Sequence, residues 1–95
     1  MTISRKKIEK SLAKKGFVLN ESKDHRYFHL FYKGIDTGVF TYVSHSGKDI
    51  DDYLISKMQK QLRLDNKRLA CDLFNCPMSK DDYLDILIQK KIIDE

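Results

Sequence analysis

Two runs of sequence decide the fold. The first is Lys23-Asp24-His25-Arg26-Tyr27-Phe28-His29-Leu30-Phe31-Tyr32 and the second is Thr37-Gly38-Val39-Phe40-Thr41-Tyr42-Val43, with Lys33-Gly34-Ile35-Asp36 between them. Aromatic and β-branched residues dominate both runs, and such residues suit a pleated, half-buried surface. A short Gly-containing break between them predicts a hairpin, with His25 at the entry of its first strand. Side chains alternate faces along a strand. Arg26, Phe28, Leu30 and Tyr32 therefore share one face, and His25, Tyr27, His29 and Phe31 the other. In the return strand Val39, Thr41 and Val43 oppose Phe40 and Tyr42. Both faces are partly apolar, although a sheet with one face in water needs only one. The second face calls for a cover: more of the chain, a partner or a nucleic acid.

Upstream, Ser4 is placed to cap a helix in which Ile8 and Leu12 are four apart, and Gly16 fits the position just past its end. Its apolar stripe is narrow, so the helix must lean on a sheet. Arg5, Lys6, Lys7, Lys10, Lys14 and Lys15 are assigned to its exposed faces. Phe17-Val18-Leu19 reads as a short strand and 20–24 as a turn.

Downstream, Ser44-His45-Ser46-Gly47-Lys48 is a polar loop. Asp49 is placed to cap a helix in which Ile50, Leu54, Met58 and Leu62 recur every four residues. Asp65-Asn66 is a second capping signal, ahead of Leu69, Ala70, Leu73 and Phe74. Ser79-Lys80-Asp81-Asp82 is a capping-box variant, ahead of the broad stripe Tyr83, Leu84, Leu87 and Ile88. That stripe needs a surface, and the aromatic second face of the hairpin is the cover it predicts. The whole is an α+β chain: helix, three strands, helix, then a C-terminal pair of helices.

The chain carries a net charge of +4, but unevenly. Residues 1–48 hold ten Lys/Arg against four Asp/Glu, and residues 49–95 hold eight against ten. A basic half points to a polyanion partner, against the plain alternative of a solvated lysine-rich helix face. No apolar run approaches the roughly 20 residues that span a bilayer. The start of the sequence shows no secretory h-region, so a cytoplasmic location is expected. Cys71 and Cys76 have no second Cys or His pair nearby, so reduced, buried thiols are expected rather than a zinc site. His25 and His29 are four apart in a strand, about 13 Å by strand rise, which is too far to share a metal. No metal or other cofactor is expected.

Three places resemble the HicA family of toxin ribonucleases. Ile8 to Val18, with Leu12 and Lys15-Gly16-Phe17, is similar to the family's first helix and its Gly-aromatic entry to strand one. Lys23-Asp24-His25, with Phe28 three on, is similar to its Gly-Ser-His motif and following aromatic. Val43-Ser44-His45-Ser46-Gly47-Lys48-Asp49-Ile50 is similar to its Val-Pro-His-Pro loop running into Lys-Asp-Ile, and Leu54 to Leu64 to its closing helix. Lys23-Asp24 stands where the family has Gly-Ser, and Ser44 and Ser46 where it has proline.

The resemblance implies an α-β-β-β-α fold like that of double-stranded-RNA-binding domains over residues 1–64, with 65–95 a helical extension packed on the same domain. It implies metal-independent cleavage of mRNA by one histidine, here His25, and restraint by a HicB-like antitoxin protein. It also implies that Phe28, Leu30, Val39, Thr41 and Val43 face the helices, and that the His25 face looks away from them. Histidine suits the chemistry, because its unperturbed pKa lies near neutrality. Lys23, Arg26 and Lys48 are candidates to stabilise charge on phosphate, and Lys10 and Lys14 to bind the RNA backbone. A non-catalytic RNA-binding or protein-interaction domain on the same fold is the alternative.

Overall fold

The computed structural model describes residues 2–44, 49–75 and 77–94. Its elements are β1 (Ile3–Ser4), α1 (Arg5–Lys14), β2 (Phe17–Glu21), β3 (His25–Tyr32), β4 (Ile35–Ser44), β5 (Asp49–Ile50), α2 (Asp52–Gln61), α3 (Lys67–Asn75) and α4 (Lys80–Gln89). The class is α+β: a three-stranded antiparallel sheet in the order β2-β3-β4, with four helices. A further pairing, of β1 with β5, joins the N-terminus to the approach to α2 and has no signal in the sequence. No described helix is long and apolar enough to cross a membrane.

Ser4 caps α1 as its sequence predicts, its hydroxyl accepting from the Lys7 N–H at 3.1 Å. Gly16 follows the last turn at φ +97°, a conformation L side chains resist. Ile8, Ser11 and Leu12 form the buried stripe of α1. Lys15 is also buried, at 5% exposure, and so departs from the exposed face assigned to it. It lies one turn beyond Ser11 and Leu12, on the same side of the helix.

Ser22 closes the β2–β3 turn, its N–H donating to the His25 carbonyl at 2.9 Å and its hydroxyl accepting from the His25 N–H at 3.2 Å. The β3–β4 turn is shorter than the sequence suggests. Only Lys33 and Gly34 form it, both at positive φ (54° and 79°), the pattern of a tight hairpin turn matched to strand twist. Ile35 and Asp36 already belong to β4. The register then shifts: Phe31 pairs with Asp36, but His29 pairs with Phe40. Leu30 thus faces residues 37–39, and the Thr37 hydroxyl donates to the Leu30 carbonyl at 2.9 Å. Two extra residues are an even number, so the alternation of faces survives the irregularity.

The inner face is the one the helices cover. Phe28, Leu30, Val39, Thr41 and Val43 are buried there. In α2 the cap is Asp51, which accepts from the Leu54 N–H at 2.9 Å. Asp49 instead pairs with Ser4 in the β1–β5 bridge. The buried stripe is Ile55, Met58 and Leu62, while Leu54 is 42% exposed. Steps of four drift about 40° each around a helix, so a row of every fourth residue cannot stay on one side.

Helices α3 and α4 start where capping predicts. Asn66 accepts from the Leu69 N–H at 2.9 Å, and Ser79 and Asp82 form the reciprocal box. Their destination differs from the one the stripe of α4 suggests. Both join the helical layer and leave the outer face of the sheet uncovered. The Ser11 hydroxyl donates to the Phe74 carbonyl at 2.5 Å. The Tyr83 ring stacks on Phe17 at 5.9 Å, and its hydroxyl donates to the Leu62 carbonyl at 2.9 Å. One core cluster therefore runs from Ile3 to Ile93. The physical reason is that α1 and α2 are too narrow to close the core alone, and Phe17 and Leu62 offer a surface with a backbone acceptor inside it.

Candidate nucleic-acid interface

Among the described residues six rings line the outer face: His25, Tyr27, His29 and Phe31 from β3, with Phe40 and Tyr42 from β4. The register puts Tyr27 opposite Tyr42 and His29 opposite Phe40. Tyr27 lies 5.4 Å from Tyr42 and 6.2 Å from Phe40, and His29 stacks on Phe40 at 5.4 Å. His25 meets Tyr42 edge-on at 5.0 Å and Tyr27 at 6.0 Å. Phe40 is 39% and Phe31 37% exposed. These rings are half in water and pack on one another along the sheet. They hold one another in place, and each keeps part of its surface in water.

His25 is the first residue of β3, fixed at its backbone by Ser22 and at its ring by Tyr42. Lys23 and Asp24 lie exposed in the turn beside it. Arg26 does not join them. It points to the other face, where Nη2 is 2.8 Å from a Glu9 carboxylate oxygen and Nη1 pairs with Glu21. Alternation requires this, since neighbouring residues in a strand cannot share a face. Lys10 and Lys14 are exposed on the side of α1 opposite its buried stripe. Because α1 packs on the inner face, these lysines point away from the rings. Lys48 and the rest of the loop 45–48 lie outside the described residues. Of the candidate cations among the described residues, the structure leaves Lys23 alone exposed in the turn beside His25. His29 has its own neighbour, with Nδ1 3.6 Å from an Asp36 carboxylate oxygen.

A second group of cations flanks the rings. The Thr41 hydroxyl donates to the Gln61 side-chain oxygen at 2.6 Å and holds α2 beside β4. Next to it Gly38, Phe40, Lys60, Gln61 and Arg63 line a cleft of about 300 Å³. A smaller hollow of about 30 Å³ follows, between Tyr42 and Leu54, Lys57, Met58 and Gln61. The sequence reading misses Lys57, Lys60 and Arg63 because they belong to the half with negative net charge. A signal was available: three cations at steps of three, alternating with Met58 and Leu62 of the buried stripe.

Two buried groups keep their protons. Burial pushes the Cys71 thiol up, with Asp72 adding to it, and burial pushes the Tyr83 hydroxyl well above its ordinary range. Neither is an activated nucleophile. Cys76 lies outside the described residues. Among the described residues no three His, Cys, Asp or Glu side chains are grouped so as to hold a metal ion. Comparison with protein-family models, with curated proteins and with solved structures finds no match.

Proposed function

We propose that the chain acts on single-stranded RNA, as a HicA-like endoribonuclease whose working surface is the aromatic face of the sheet. One observation carries this reading: the face remains outside the core and bears His25 at one end. Unpaired bases stack on exposed aromatic rings, and this is how several sheet-based folds hold RNA. The helix–three strands–helix portion up to Leu64 is then the RNA-binding-domain-like unit, and α3 and α4 are its extension. In the reaction the His25 imidazole takes the proton of a ribose 2′-hydroxyl. The 2′-oxygen attacks phosphorus, the bond to the 5′-oxygen breaks, and that oxygen leaves with a proton from water. The products are a 2′,3′-cyclic phosphate and a free 5′-hydroxyl. Lys23 is the cation closest to hand for the phosphate. A HicB-like antitoxin would act by covering the same face.

The test is incubation with a long RNA in EDTA. A positioned general base is worth about 10²–10⁴ in rate, so His25→Ala should abolish detectable cleavage while leaving the melting curve unchanged. His29→Ala should be much milder. Equal cleavage by the unmodified and His25→Ala proteins removes the catalytic role. The engagement of Arg26 by Glu9 and Glu21 favours a second reading, an RNA-binding domain without cleavage. That reading expects RNA binding with no products from either protein.

A further inference from the structure

On its β4 side the outer face is bordered by the cationic flank of α2. Helix α2 runs beside β4 in the opposite sense, so that Arg63 and Lys60 lie near Gly38 and Phe40, and Lys57 near Tyr42. Among the described residues no carboxylate forms an ion pair with any of these three. Lys57 leans over the exposed Tyr53 ring, 5.7 Å from its centre. Lys57 and Lys60 stand about 4.5 Å apart along the helix axis by rise per residue, and Arg63 follows just past the helix end at φ 63°. The row ends at Tyr42, whose ring is 5.0 Å from His25.

We infer that the groove between β4 and α2 carries the phosphate backbone of single-stranded RNA, with Lys57, Lys60 and Arg63 as its cations and Phe40 and Tyr42 as the platform for its bases. This rests on the reading of the outer face as an RNA surface and gives that surface its electrostatic half. A cationic groove beside stacking rings is the general arrangement by which proteins hold single strands. Paired bases cannot reach such rings, so the ligand is single-stranded. The rings also separate RNA from an acidic peptide, which would satisfy the cations and gain little from the platform. The strand so held is led toward His25. The lysines of α1 have no part in it, because they face the other way.

The experiment measures binding of a fluorescent 2′-O-methyl RNA by the full chain across a salt series. Methylation blocks attack by the 2′-oxygen, so binding is read without cleavage. The variant is Lys57→Gln with Lys60→Gln and Arg63→Gln. Its control is Lys6→Gln with Lys10→Gln and Lys14→Gln, which removes the same charge from α1. Single strands contribute about 0.7 to the log–log salt slope per phosphate neutralised, so the groove variant should lose about 1.4–2 of that slope and bind roughly tenfold or more weakly at low salt. The control should stay close to the unmodified protein. Equal losses in both variants, or a larger loss in the control, overturn the groove while leaving the RNA surface standing. No binding by the unmodified protein overturns both. Polyglutamate competing as well as RNA overturns the RNA assignment in favour of an acidic protein.

Discussion

The two faces of one sheet differ more in their surroundings than in their residues. The inner face holds Phe28, Leu30, Val39, Thr41 and Val43, none more than 4% exposed. The outer face, built from alternate residues of the same strands, is at least as aromatic, yet its rings are half in water. The inner residues are dry because four helices and the β2 end residue Phe17 pack into one cluster against them. The outer rings have one another and the flank of α2. Hydrophobicity along a strand therefore does not say which face is core. The returning helices say it, and they chose the side with a backbone acceptor waiting for Tyr83. The uncovered face is the one on which the proposed RNA reading rests.

The most severe way to break this comparison is to delete the chain after Leu64. If α3 and α4 covered the outer face, a folded domain with a dye-binding sheet would remain. The structure instead removes Ala70, Leu73, Phe74, Tyr83 and Leu87 from the shared core. The truncated chain should lose its cooperative urea transition and its near-ultraviolet dichroism. Next in size is Leu30→Ala, at a position with 0% exposure. It should cost about 2–5 kcal/mol in urea unfolding, through lost transfer energy and the cavity left behind. Phe40→Ala removes a larger side chain from the other face and should cost no more than about 1 kcal/mol, the scale of a cross-strand pair. On the proposed RNA reading, it should weaken RNA binding instead. Similar costs for the two would erase the distinction between the faces.

Smaller effects sharpen the picture of how the helical layer is tied. Tyr83→Phe keeps the ring on Phe17 and removes the donor to the buried Leu62 carbonyl, at a cost of about 1–3 kcal/mol. A negligible cost would mean that packing alone holds α4. The smallest effect is at the surface between α2 and α3. The hydrogen bond from Lys67, 2.6 Å long, holds the Asp52 carboxyl below its ordinary value. A depressed carboxyl contributes stability above the ordinary carboxylate pKa and loses it as pH falls through the folded value. Lys67→Gln should therefore slightly lower the melting temperature near neutrality, and the difference from the unmodified protein should begin to fade below about pH 4 and vanish once the pH is below the depressed folded value. A difference that persisted in acid would assign the effect to packing of the lysine stem.

Sequence alone determined the ends of α1 and the starts of α3 and α4. Ser4, Gly16, Asn66 and the Ser79–Asp82 box mark helix ends by chemistry that needs no distant partner, and each stands where that chemistry puts it. Alternation along 25–43 likewise separated Phe28 and Leu30 from Tyr27 and His29, because the period of a strand is fixed by the backbone. Resemblance, not pattern, chose which of the two sets faces the helices. Three-dimensional structure decided the rest. It moved the cap of α2 from Asp49 to Asp51 by pairing Asp49 with the N-terminal strand. It turned Arg26 to Glu9, brought Lys57, Lys60 and Arg63 beside Phe40 and Tyr42, and sent α3 and α4 to the far side of the sheet. Each of these depends on which distant surface a residue meets. An amphipathic stripe declares that a partner is needed, but two apolar faces of one sheet satisfy that demand equally well until the geometry of the whole chain permits only one.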